Sequence, residues 1–155
     1  MRGKKAPHRK STTDSKYNSP LVAKLINYVM KDGKKTTAQS IVYQALDQVE
    51  VKMEKPAMEI FDEAMKNISP LLEVKAKRVG GANYQVPMQV RAERRVQLAY
   101  RWLLVAARSR KGKPMADKLA FEIMEAAQNQ GDAVKRKLEV QRMAEANRAF
   151  AHFAK

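Results

Sequence analysis

The chain has 155 residues, 45% of them hydrophobic, no cysteine, and 31 Lys and Arg against 16 Asp and Glu, a formal net charge of +15. Its length and apolar content suit one domain of modest core, and the lack of cysteine excludes disulfides and thiolate metal sites and fits a reducing cytoplasm. Apolar runs such as 102–107 fall far short of the roughly 20 residues of a membrane span. The charge excess would repel itself in a lone monomer, so a soluble binder of phosphate backbones is the first expectation.

Residues 1–15, MRGKKAPHRKSTTDS, are basic but lack the apolar core of a secretion signal. Nothing in them offsets the entropy of ordering. They read as a flexible arm whose Arg2, Lys4, Lys5, Arg9 and Lys10 settle on a phosphate backbone, ahead of a single domain over 16–155.

Ser19-Pro20 is a helix start, a hydroxyl to cap and a proline whose missing N–H is no loss at the first position. Leu21, Val22, Leu25, Ile26 and Val29 recur at helical spacing, and Gly33 stops the run. Lys34 and Lys35 follow in the connection. Thr36 with Gln39 fits a capping box for a second helix through Ile41, Val42, Ala45, Leu46 and Val49 that ends near Met53. Pro56 opens a third helix, with Ile60, Phe61, Ala64, Met65 and Ile68 inward, and Pro70 closes it.

From 71 to 90 the period changes to two. Leu72, Val74 and Ala76 alternate with Glu73, Lys75 and Lys77, and Tyr84, Val86, Met88 and Val90 alternate with polar residues or proline. Gly80-Gly81-Ala82-Asn83 lies between, so the stretch reads as a β-hairpin whose second strand, containing Pro87, keeps an open edge. A free ribbon of this length would reach about 25 Å, with Lys75, Lys77 and Arg78 near its tip. The stretch alone leaves open whether the ribbon projects or folds back on the helices.

Helical spacing returns over 91–110, with Val96, Ala99, Tyr100, Leu103 and Ala107 on the core face. Arg94, Arg101 and Arg108, spaced by seven, line another face near Arg91 and Arg95, and only Glu93 interrupts the positive charge. Trp102 is expected to pack on a neighbouring helix. After the basic loop RSRKGK, Pro114 starts a fifth helix with Met115, Leu119, Ile123 and Ala126 inward, ended by Gly131. Asp132 caps a sixth with Val134, Leu138 and Met143 inward, and residues 144–154 are expected to fray. Glu122 and Glu125 read as solvated surface charge.

The charge is unevenly spread. Residues 1–35 hold ten Lys and Arg against two Asp, residues 71–113 eleven against two Glu, while 36–70 are net acidic. Two such blocks meeting in space would make one basic face. His8 and His152 have no partner at metal or triad spacing, so neither catalysis nor a bound metal or cofactor is expected. Asp32-Gly33-Lys34-Lys35 lacks the upstream glycine and strand of a phosphate loop.

Four stretches, KYNSPLVAKLINYVMKDGKKTTAQSIVYQAL (16–46), NISPLLEVKAKRVGGANYQVP (67–87), the Arg94 to Leu103 pattern RR-QLAYRWL, and RMAEANRAFAHF (142–153), resemble the bacterial-type small-subunit ribosomal protein S-seven family. The resemblance runs from about residue 17 to 153 in one order without large gaps. It implies a mainly α fold, a six-helix bundle with a protruding two-stranded β-hairpin. It implies a primary binder of the 3′ major domain of small-subunit rRNA that helps nucleate head assembly. Carried over by position, the rRNA contacts fall on Lys34, Lys35, Lys75, Lys77, Arg78, Arg91, Arg94, Arg95, Arg101 and Arg108. The ribbon tip, Gly81, Ala82 and Asn83, with Arg142 and Met143, would lie toward exit-site tRNA and mRNA. Implied partners are rRNA, tRNA, mRNA and neighbouring ribosomal proteins of head and platform, in a cytoplasmic ribosome, with no membrane and no homo-oligomer. Asn83 stands where the family commonly has threonine, and Gln141 where it has histidine. From the residues alone two other classes stay open: an architectural DNA-binding protein with a basic ribbon arm, and a protein-interaction module using the acidic middle.

Overall fold

The structure, a computed structural model, describes Gly3 and residues 12–154. Within them lie six α-helices, α1 (Pro20–Val29), α2 (Lys35–Met53), α3 (Ala57–Ile68), α4 (Ala92–Ser109), α5 (Met115–Ala127) and α6 (Gly131–Ala146), a two-stranded sheet, β1 (Leu72–Val79) and β2 (Ala82–Gln89), and a 3-10 helix, Arg148–Ala154. The mainly α fold with a β-hairpin, expected from periodicity and from the resemblance, is the fold observed.

The apolar stripes of the helices meet in one core. Val22, Leu25 and Ile26 of α1 join Val42, Leu46 and Val49 of α2, Ile60 and Phe61 of α3, Tyr100 and Leu103 of α4, and Leu119 and Ile123 of α5. Helix α5 is central, packed on α2, α3, α4 and α6. Tyr100 is fully buried, which is tolerable because its hydroxyl donates to the Leu21 carbonyl at 2.9 Å. Trp102 packs against the core edge, as expected.

Several local expectations are corrected. Ser19 does cap α1, accepting from Val22 N at 3.5 Å, but α2 begins at Lys35 without the Thr36–Gln39 capping box. The Gln39 amide is instead drawn to the Tyr43 hydroxyl at 3.1 Å. Leu138 and Met143 are 46% and 43% exposed, and Val140 and Ala144 face inward in their place. The sixth helix is rotated relative to its sequence-derived face because it packs on the ribbon as well as on the bundle.

Asp14, the one acidic residue of the 1–15 stretch, is buried. Its carboxylate accepts from the backbone N–H of Tyr17 at 2.8 Å, Ser19 at 2.9 Å and Lys16 at 3.1 Å. Burial alone would raise its pKa, but these bonds outweigh it and hold the carboxyl below its usual value. The chain is thereby tied to the body ahead of α1. The arm cations Arg2, Lys4, Lys5, Arg9 and Lys10 lie outside the described residues.

The strands pair antiparallel from Leu72↔Gln89 to Val79↔Ala82, leaving only Gly80 and Gly81 in the turn. Both have positive φ, +57° and +90°, the requirement of the tight turn whose twist matches a hairpin. The ladder holds two strands, but the ribbon is not free along its length. Residues 144–154, expected to fray, form the end of α6 and the 3-10 helix, and the latter lies on β2. Phe150 and Phe153 each sit 5.2 Å from the Tyr84 ring, and Val86 and Pro87 are buried. An apolar ribbon face this long is unstable in water without such a cover.

Candidate nucleic-acid interface

The turn between α1 and α2 is built by two residues of positive φ, Asp32 and Gly33, and it swings Lys31 and Lys34 against the end of α4. There, Lys31, Lys34 and Arg108 rim one groove of about 390 Å³, with Asp32 and Thr37 beside them. Val29, Ala38, Ile41 and Met115 form its apolar floor. The two basic blocks, distant in sequence, therefore meet at this edge. Among the described residues no ion pair involves Lys31, Lys34 or Arg108. Exposed cations left unpaired repel one another, and an anion relieves that repulsion.

Lys35 is exposed beside Lys34, and Arg101 is exposed two turns back from Arg108 on α4. At the other end of α4, Arg91 is exposed, but Arg94 and Arg95 are partly committed within the protein. Arg94 Nε lies 3.4 Å from Glu73 Oε2, and Arg95 Nε donates to the Val90 carbonyl at 2.9 Å. Glu73 also holds Lys75 Nζ at 2.8 Å. Burial pushes the Glu73 carboxyl up, yet Lys75 and Arg94 together bring it below its usual value. Within this cluster only the Glu73–Arg94 pair links β1 to α4, while Lys75 and Glu73 pair along the same strand.

Sequence reasoning missed two features. Lys31 was counted in the basic N-terminal block but not as a site residue, since nothing local separates it from Lys24. The basic loop after α4 closes on a carboxylate pair: Arg110 Nη2 contacts Glu122 Oε2 at 2.6 Å and also Glu125. Glu122 is fully buried, contrary to its reading as solvated charge, and its Oε1 accepts from Ala133 N at 3.0 Å. Glu122 thus caps the start of α6, the role expected of Asp132, which instead pairs with Lys135 in solvent.

The model of the family described as Ribosomal protein S7p/S5e matches residues 1–148. The chain belongs to this family of ribosomal proteins. It is 57% identical over 142 residues to the small ribosomal subunit protein uS7 of Chloroflexus aggregans, covering 92% of this chain and 90% of the relative. It is 55% identical over 153 residues to the proteins of that name from Chloroherpeton thalassium and Thermotoga neapolitana, covering 99% of both chains in each case. Members are structural proteins of the ribosome, so this chain is a ribosomal protein and not an enzyme.

In this ribosomal protein the distal half of the ribbon and the 3-10 helix lie side by side. Lys77, paired with Tyr84 across the ribbon, donates from Nζ to the Phe153 carbonyl at 2.7 Å. Gly81, Ala82 and Asn83 are exposed just beyond, and Arg78, opposite Asn83, is exposed as well. Arg142 and Met143 are exposed on α6, where the Met143 carbonyl accepts from Asn147 Nδ2 at 2.7 Å and ends the helix.

Proposed function

We propose that the chain is the S7-type component of the small ribosomal subunit. In this reading it is a primary binder of the 3′ major domain of small-subunit rRNA and helps nucleate assembly of the head. The relatives are small-subunit proteins by name, and near-complete coverage supports the same place for this one. The observation that carries the RNA reading is the meeting of Lys31, Lys34 and Arg108 at one groove, continued along α4 by Arg101 and Arg91. Phosphate contacts from such a row fix register and orientation on the RNA.

The ribbon divides in function. Arg94 meets Glu73 at its base, Lys75 adds charge there, Lys77 and Arg78 line its distal half, and the tip Gly81–Asn83, with Arg142 and Met143, lies toward exit-site tRNA and mRNA. Neighbours are ribosomal proteins of the head and platform, and the chain enters as a single copy into ribosomes of the cytoplasm. The basic arm with Arg2, Lys4, Lys5, Arg9 and Lys10 adds phosphate contacts.

The test is salt-dependent binding to a transcript of the 3′ major domain. Arg101 and Arg108 are exposed and make no ion pair among the described residues, so replacing both by alanine leaves the body intact. Each lost phosphate contact flattens the slope of log K against log salt by about 0.7 to 0.9. An unchanged slope rejects this face of α4, and no salt-dependent binding by the intact protein rejects the RNA reading.

A further inference from the structure

We infer that the groove between the α1–α2 turn and the α4–α5 end is a seat for a single unstacked RNA base. The neighbouring phosphates of that nucleotide would lie on Lys34 and Arg108. The inference rests on the RNA reading above and goes beyond it by naming a base subsite within a face otherwise argued from charge.

A surface that only tracked a phosphate backbone would need cations and little else. This groove has a floor of Val29, Ala38, Ile41 and Met115, drawn from α1, α2 and α5, and the cations stand at its rim. Val29 and Ala38 are buried, while Ile41 and Met115 are half-buried, so the last two present apolar surface to the groove. Its volume of about 390 Å³ lies in the range of clefts that take small ligands.

An occupant must be apolar on its faces and anionic at its edge. A nucleotide meets both demands, because its base offers a π-face to aliphatic, thioether and guanidinium surfaces while its backbone supplies the negative charge. Arg108 can then serve either as a stacking plane or as a phosphate partner. An acidic peptide with one apolar side chain is the competing occupant. It is less suited, because its carboxylate and its apolar side chain offer Asp32 on the rim no hydrogen-bond donor. A base can meet Asp32 with an exocyclic amino donor.

The test uses Thr37, which is exposed on the groove wall in the first turn of α2. Thr37→Trp fills the groove without entering the core, and an unchanged thermal midpoint checks that the fold is retained. Ile41→Ser leaves the groove open but removes apolar floor, and since Ile41 also packs on the core its thermal midpoint is measured as well. With a transcript of the 3′ major domain as probe, both variants should bind about tenfold more weakly while the salt slope stays as in the unsubstituted protein. Lys34→Ala should instead flatten that slope by about 0.7 to 0.9. Base-specific chemical probing should show one unpaired nucleotide protected by the unsubstituted protein and reactive again with Thr37→Trp, its surroundings unchanged.

Steep salt dependence for the unsubstituted protein with no loss of affinity in Thr37→Trp and Ile41→Ser overturns the base seat and leaves the RNA reading standing. Absence of salt-dependent binding by the unsubstituted protein overturns both. A photo-crosslinker at position 37 that captures RNA in assembled subunits supports the seat. Capture of a neighbouring protein alone overturns it in favour of the peptide occupant.

Discussion

Replacing Glu122 by alanine should destabilise the protein markedly. The carboxylate is fully buried between α4, α5 and α6. Its Oε2 accepts from Arg110 Nε at 3.0 Å and Nη2 at 2.6 Å, and its Oε1 from Ala133 N at 3.0 Å. Truncation removes all three bonds, leaves the first turn of α6 uncapped and leaves the Arg110 guanidinium with Glu125 and the Phe121 ring. The Arg110 side chain is 25% exposed and retains Glu125, so the cost falls short of a fully buried broken pair and is about 1.5 to 3 kcal/mol. Glu125 is 29% exposed on its side chain, so solvent screening limits Glu125→Ala to about 1 kcal/mol. Gly131→Ala should act through the same knot. A Cβ there would stand 3.0 Å from Glu122 Oε1, at a φ of +89° that side chains rarely adopt, at a cost of about 1 to 3 kcal/mol. Urea unfolding followed by far-ultraviolet circular dichroism gives each value. A loss below about 1 kcal/mol for Glu122→Ala would refute the capping and pairing argument, since it removes two charge-assisted bonds and leaves the Ala133 N–H without its acceptor.

Glu73 predicts a pH effect. Its carboxyl is held below its usual value in the folded state, so its contribution is present above the unfolded pKa of about 4.3 and is lost as pH falls through the lower folded value. The unsubstituted protein should therefore lose more stability in that acid range than Glu73→Gln; parallel curves of unfolding free energy against pH would refute it. The aromatic cover of the ribbon predicts a local effect. Phe153→Ala removes a ring contact to Tyr84 worth about 1 kcal/mol, so amides of β2 should exchange roughly fivefold faster while α1 to α5 do not change. Unaltered exchange in β2 would mean that the 3-10 helix does not support the ribbon.

Much of the architecture is legible locally. Ser19-Pro20 and Pro56 mark helix starts and Pro70 a helix end, and the change from helical period to period two at Leu71 locates the ribbon to within a residue or two. These signals are readable because capping, φ restriction and side-chain alternation act within a few residues. The basic blocks were legible as charge, and the α4 row as spacing, but which cations stay unpaired was not. Arg95 turns to the Val90 carbonyl and Arg94 to Glu73, while Arg101 and Arg108 remain exposed. Sequence spacing puts all four on one helix and does not tell which have an acceptor in reach.

By itself the sequence determined the element order, the inward stripe of the first five helices and the sign of the surface, since each follows from short-range sterics, periodicity or net charge. Only the tertiary structure decided that Lys31 and Lys34 meet Arg108 over an apolar floor, that Glu122 is a buried cap rather than solvated charge, and that the C-terminal segment covers the ribbon instead of fraying. All three depend on packing between elements far apart in the chain. There, a carboxylate, a cation or an aromatic ring gains its partner from the fold rather than from its neighbours in sequence.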